Sequence, residues 1–235
     1  MRTAFFRTIE DLAAKDPRIN FITGDLGFSV VESYMGKFPK QFLNAGVAEQ
    51  NMTGIAAGMA LSGKVVFTYS IANFPTLRCL EQIRNDICYH SANVVAVAIG
   101  GGLSYGSLGM SHHATEDLAI MRSLPAMTVL APGDPTEAAA ATKAAAAGIG
   151  PVYLRLGRAG EPMVHTNGID WELGKAITVR QGSHLTLIAT GGMLYTATKV
   201  AETLASEGFR ACVLSMHTVK PLDEDAVLRA ARETG

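Results

Sequence analysis

Val94-Val95-Ala96-Val97-Ala98-Ile99 is an unbroken apolar run that ends in Gly100-Gly101-Gly102. It is too short for a helix that packs on its own, and it is apolar at every position instead of at alternate ones. A strand with that pattern is buried on both faces, as in a parallel sheet covered by helices. The neighbouring segments agree. Upstream, Thr76–Tyr89 places Leu77, Leu80, Ile83, Arg84 and Ile87 at three- and four-residue spacing, which predicts a helix with one apolar face. Val65–Tyr69 and Ile19–Thr23 read as further strands, and Thr3–Lys15 and Gln50–Leu61 as helices, the latter stopped at Gly63. Downstream, the helices Glu116–Ser123 and Pro135–Ala147 alternate with the strands Met127–Leu130 and Val152–Leu154. Strands separated by helices predict an α/β fold built on a parallel sheet.

Glu161–Trp171 is polar and reads as a linker. A second βαβ pattern follows, with strands at Leu185–Thr190 and Ala211–Ser215 and helices at Thr196–Ser206 and Pro221–Arg232. Two domains are therefore expected, residues 1–160 and 172–235. Two strands and two helices bury little surface, so the second domain is expected to be incomplete.

The 235 residues carry a net charge of −1, with 48% hydrophobic and 17% charged residues. That balance gives no electrostatic reason for a nucleic-acid or membrane partner. The odd set Cys79, Cys88 and Cys212 has no metal-ligand spacing and reads as reduced thiols. Acids occur early in the chain and no apolar run approaches membrane-spanning length, so a soluble cytoplasmic protein is expected.

The chemistry centres on Asn44-Ala-Gly-Val-Ala-Glu49-Gln-Asn-Met52. A lone glutamate near a helix start reads as a solvated first-turn acid. Here Ala45, Gly46, Val47, Ala48, Met52 and Ile55 are small or apolar, so the carboxylate is expected in a poorly solvated place where it can share a proton with a ring nitrogen. Tyr69 and Phe74 follow a strand and could be core aromatics or could stack on a flat heterocycle. The adjacent His112 and His113 lack an acidic or cysteine partner at suitable spacing, so no metal is expected on this chain. Gly100–Gly109 lacks the lysine of a phosphate loop and reads as a flexible loop at a strand's carboxyl end.

These segments, in this order, resemble the pyrimidine-binding and carboxyl-terminal regions of transketolase. The resemblance implies that Glu49 bonds N1′ of thiamine diphosphate and so promotes loss of the thiazolium C2 proton. It implies Phe74 and Tyr69 as stacking residues and places Asp25 near the thiazolium. His112 would face the reacting sugar hydroxyls, while Arg158 and Ser29 would hold the substrate phosphate. Leu108 stands where the family carries an aspartate. His217 has no implied catalytic role. The diphosphate-binding half, with its Gly-Asp-Gly…Asn metal motif, is missing from these residues. The resemblance therefore implies the carboxyl-terminal subunit of a split transketolase, active with an amino-terminal partner that holds Mg²⁺ and the diphosphate, in an α2β2 assembly acting on sugar phosphates. A 2-oxo acid dehydrogenase β subunit, a 1-deoxyxylulose-phosphate synthase-like enzyme and a non-catalytic partner-binding remnant remain alternatives.

Overall fold

The structure is a computed structural model and describes residues 1–234. In chain order the elements begin α1 (Arg2–Ala13), β1 (Ile19–Thr23), α2 (Glu32–Lys37), β2 (Phe42–Asn44), α3 (Glu49–Leu61), β3 (Val65–Ile71), α4 (Leu80–Gln82) and β4 (Val94–Ile99). They continue α5 (Asp117–Ser123), β5 (Thr128–Leu130), α6 (Pro135–Ala147), β6 (Val152–Leu156), β7 (Ile177–Arg180), β8 (Leu185–Ala189), α7 (Met193–Ser206), β9 (Ala211–Ser215), β10 (Thr218–Lys220) and α8 (Glu224–Glu233).

A seven-stranded sheet runs β10-β5-β6-β4-β3-β1-β2, parallel except for β10, which pairs antiparallel with β5. β4 is central and buried at every position, as its composition requires. Successive residues alternate between two cores. Val95, Val97 and Ile99 meet α1 and α6 through Phe5, Ile9, Ala138 and Ala141, whereas Val94, Ala96 and Ala98 meet α3 through Met52 and Ala56. A second sheet, β7-β9-β8, carries a small core of Ala189, Leu194, Ala201, Ala211 and Val213.

One expectation needs correction, and α2, β2, β7 and β10 were not expected from the sequence. The helix read over Thr76–Tyr89 is not one α-helix. Phe74–Arg78 and Ile83–Cys88 are π-helical, with the single α-turn of α4 between them. The wider turn at Phe74–Arg78 changes which face each side chain takes, a property that three- and four-residue spacing does not encode. β7 went unread because its burial is only partial, so it lacks a continuous apolar run. β10, also unread, lies after the second sheet's last strand yet returns to the edge of the first sheet. The junction is further tied by Trp171, stacked on His217 at 4.7 Å.

Candidate active site

Glu49 is the first residue of α3 and only 2% of it is exposed. Its position follows from the β2–α3 connection. Asn44 Oδ1 accepts from the backbone N–H of Gly46 at 3.0 Å, and Gly46 turns at φ 72°, which brings the chain from the sheet edge into the helix. Asn44 also exchanges two hydrogen bonds with Asp25, giving its Nδ2–H to Asp25 Oδ1 at 2.9 Å and accepting the Asp25 N–H at 3.0 Å. The loop after β1 is thereby fastened beside the start of α3. A side chain at Gly24 would meet Glu49 Cγ at 3.5 Å. The loop that carries Asp25 is thus brought beside Glu49. Ser29 lies further along the same loop, exposed, with its N–H donated to Glu32 Oε1 at 2.8 Å.

The one charged partner of Glu49 among the described residues is Arg78, whose Nη1–H donates to Oε2 at 2.7 Å. The Arg78 guanidinium also lies over the ring of Phe74, 4.6 Å from its centroid. Phe74 meets His112 edge-on at 5.2 Å, and His112 in turn meets Tyr105 at 5.8 Å. Arg158 Cζ lies 5.1 Å from the Tyr105 ring centre. Glu49, Phe74, His112 and Arg158 therefore sit on one continuous line of contacts. They were singled out separately from the sequence, and Arg78 and Tyr105 are the links between them.

The segment carrying His112 is held from both sides. Asn73 Nδ2–H donates to the Ser111 carbonyl at 2.7 Å, tying the loop to the end of β3. Gly102 and Ala114 pair across the loop's base, with their N–H groups donating to each other's carbonyls at 2.7 and 3.0 Å. Ser111 Oγ lies 2.9 Å from His112 Nδ1. When the serine donates there, the imidazole proton is on Nε2, the nitrogen free to act as a donor. Leu108 is half-exposed on a short 3₁₀ turn of the same loop.

Below this loop is a buried group that the sequence reading missed. Asp117 Oδ2 accepts from the Tyr153 hydroxyl at 2.7 Å and lies 2.9 Å from Arg155 Nε. Arg155 Nη2–H donates to the Ala114 carbonyl at 3.2 Å. Burial raises the Tyr153 pKa well above its ordinary value and Asp117 adds to the shift, so the phenol remains a donor. The first residues of the Gly100–Gly109 loop are closely packed, whereas Gly106 and Gly109 have open space around them. A side chain at Gly100 would strike Tyr105, and one at Gly101 would strike the Arg155 guanidinium. A cleft of about 420 Å³ opens beside Arg155, between Gly101, Gly157, Glu161 and the Thr190–Met193 turn of the second sheet.

Tyr69 is not brought to this site. It is 3% exposed in the core on the opposite side of the sheet from α3, 6.2 Å from Phe5, 5.3 Å from Phe6 and 5.7 Å from Phe21. Strand alternation decides this, because Val65, Phe67 and Tyr69 share the face that looks toward α1. Burial pushes its phenol pKa up. His217 is buried against Trp171, as a structural residue would be, and His113 Nε2 lies 2.9 Å from the Gly106 carbonyl. Burial raises the Cys79 thiol, Thr53 partly offsets this and the Glu49 charge adds to it, so Cys79 is a neutral wall and not a nucleophile. Among the described residues, no group of three His, Cys, Asp or Glu could hold a metal ion. No helix among them is long and apolar enough to cross a membrane.

Comparison with known proteins identifies the family of both regions of the chain. The family model for the transketolase pyrimidine binding domain matches residues 1–161, and that for the transketolase C-terminal domain matches residues 174–235. An apulose-4-phosphate transketolase subunit of Phocaeicola vulgatus is 39% identical over 236 residues, covering 100% of this chain and 76% of that protein. The 6-deoxy-6-sulfo-D-fructose transketolase subunit of Clostridium sp. (strain MSTE9) is also 39% identical, covering 100% of this chain and 73% of its own length. A solved split-gene transketolase, described as an inactive beta4 tetramer, superimposes with a TM-score of 0.91 at 40% identity, covering 100% of this chain and 77% of that one.

Proposed function

The chain belongs to the transketolase family, as a subunit of the split type, and we propose that it contributes the pyrimidine-binding half of an enzyme moving a two-carbon ketol unit from a ketose phosphate to an aldose phosphate. Residues 1–160 and 172–235 would act as its two domains in the cytoplasm. The carrying observation is the line of contacts from Glu49 to Arg158, which joins a buried carboxylate, a half-buried aromatic, an imidazole and an exposed guanidinium from the segments that follow β2, β3, β4 and β6.

Thiamine diphosphate, implied by the family, fits these residues. The buried Glu49 carboxylate and the Phe74 ring both contact one flat guanidinium, that of Arg78, and a hydrogen bond to and a stack on one flat ring require the same pairing. When bound, that cofactor supplies an acidic C2–H whose loss leaves a carbon nucleophile for a sugar carbonyl. Glu49 would hold a proton shared with N1′, and Phe74 would fix the ring plane. Asp25, tethered by Asn44, would set the charge beside the thiazolium. His112 Nε2 would donate to a substrate hydroxyl. Arg158 would offer its planar fork to the substrate phosphate, with Ser29 as a second contact. Leu108 presents an apolar surface to the sugar instead of a hydrogen-bonding one. Mg²⁺ and the diphosphate would be held by the amino-terminal subunit in an α2β2 assembly. The inactive tetramer formed by the split-gene relative supports this need for a partner.

The test is reconstitution with the amino-terminal subunit, thiamine diphosphate and Mg²⁺. A panel of ketose phosphates, extended to apulose 4-phosphate and 6-deoxy-6-sulfo-D-fructose, is supplied with aldose phosphate acceptors. Ketol transfer that requires both chains is the expected result. Oxidative decarboxylation of a 2-oxo acid, or no transfer with any donor, would reject the reading.

A further inference from the structure

The guanidinium of Arg78 does two things at once. Its Nη1–H donates to Glu49 Oε2 at 2.7 Å, and its Cζ lies over the Phe74 ring, 4.6 Å from the centroid. A flat, positively charged group that donates N–H to a carboxylate while stacking on an aromatic ring has the same recognition features as a protonated aminopyrimidine. On the functional reading above, Glu49 and Phe74 are the two contacts such a ring would need. We infer that Arg78 is an internal stand-in for the aminopyrimidine, filling the ring's place in the cofactor-free subunit and swinging aside when the cofactor enters.

Three observations carry this. First, Glu49 is 2% exposed, and a buried carboxylate without a partner is costly, so the cofactor-free subunit needs a countercharge there. Arg78 is the one charged partner it has among the described residues. Second, the Arg78 side chain is 47% exposed, so it is anchored only at its tip and has an open route to solvent. Third, Arg78 and Phe74 are the two ends of one π-helical turn. That turn lets the arginine reach back over the ring and toward α3. The arrangement keeps the free subunit's site electrically satisfied and makes cofactor binding an exchange of one planar cation for another.

The experiment compares wild type, Arg78→Met, Arg78→Lys and Glu49→Gln, each reconstituted with the amino-terminal subunit and titrated with thiamine diphosphate at saturating Mg²⁺. Binding is read by calorimetry without substrate. If Arg78 competes for the site, Arg78→Met lowers Kd about two- to fivefold, the range for a partly exposed ion pair that no longer has to be broken. Arg78→Lys keeps the charge but lacks a plane to cover Phe74. It is expected to bind more tightly than wild type by a smaller factor, and it serves if the methionine variant does not fold. As a second readout, an arginine-selective dicarbonyl should modify Arg78 of the reconstituted wild type faster once thiamine diphosphate is added. An unchanged or weakened Kd in both arginine variants, or slower modification on adding cofactor, would overturn the inference. Glu49→Gln separates the two claims. If it leaves Kd untouched, the pyrimidine-site reading itself is wrong. If it weakens binding while the arginine variants do not tighten it, only the role of Arg78 is.

Discussion

Replacing Asp117 tests how the scaffold holds the site. Its carboxylate accepts from the Tyr153 hydroxyl and pairs with Arg155, which in turn donates to the Ala114 carbonyl at the base of the His112 loop. Tyr153→Phe removes one hydrogen bond to a charged group, worth ~1.5–3 kcal/mol, and leaves the ion pair intact. Asp117→Ala removes both and leaves the Arg155 charge without its partner. Breaking a fully buried pair costs about 3–5 kcal/mol. Arg155 is 17% exposed, so water compensates in part, and the lower half of that range is expected on top of the lost tyrosine bond. At this chain length each kcal/mol shifts Tm by roughly 2–4 °C. Asp117→Ala should then lower Tm by roughly 9–28 °C and Tyr153→Phe by roughly 3–12 °C, read by circular dichroism on the isolated chain. Because the anchor of the His112 loop is lost, kcat of the reconstituted Asp117→Ala enzyme should fall while KM changes little. An Asp117→Ala drop no larger than that of Tyr153→Phe would refute the claim that the Arg155 pair holds this region together.

Other outcomes follow from the same geometry. Phe74→Ala should weaken thiamine diphosphate binding to the reconstituted enzyme by ~0.5–1.5 kcal/mol or more, whereas Tyr69→Phe should leave it unchanged, by calorimetric titration. Arg158→Ala should raise KM for phosphorylated donors by the equivalent of ~2–3 kcal/mol and spare non-phosphorylated ones, in steady-state assays. A pH dependence should come from the buried contact at 2.7 Å between His165 Nε2 and Glu137 Oε1. Burial alone would lower the His165 pKa, but the hydrogen bond and charge of Glu137 outweigh it and raise it above the ordinary 6.5. Its stabilising contribution is therefore full below about 6.5 and is lost as pH rises through the raised folded value. His165→Gln should flatten that alkaline-side fall in Tm, measured in a series of buffers.

The large parallel sheet was legible because strands such as Val94–Ile99 are apolar throughout and α6 has the composition of a strong helix former. Glu49 and Phe74 were legible because polar and aromatic residues at the ends of apolar segments stand out. What the sequence hid was decided by distance in the chain. Nothing near Asp117 announces that Tyr153 and Arg155 will close on it, because those contacts form only when β6 lies beside β4. Arg78 was hidden by its helix, since regular helical spacing groups it with the polar residues Glu81, Gln82 and Asn85 and says nothing of the reach of its tip to Glu49. Tyr69 misled because an aromatic near a strand's end looks alike whichever face of the sheet it takes. Only the register of β3 against β1 and β4 assigns that face.

The central claim is that Glu49 activates a bound aminopyrimidine. The most direct measurement is hydrogen–deuterium exchange at C2 of thiamine diphosphate, by quenched-flow NMR, in the enzyme reconstituted with the amino-terminal subunit. Wild type should exchange far faster than free cofactor. Glu49→Gln, which keeps the side chain's size but lacks the titrating carboxylate, should slow exchange by about two to four orders of magnitude, the usual contribution of a positioned acid–base group. Exchange in Glu49→Gln as fast as in wild type, with cofactor fully bound, would contradict the account.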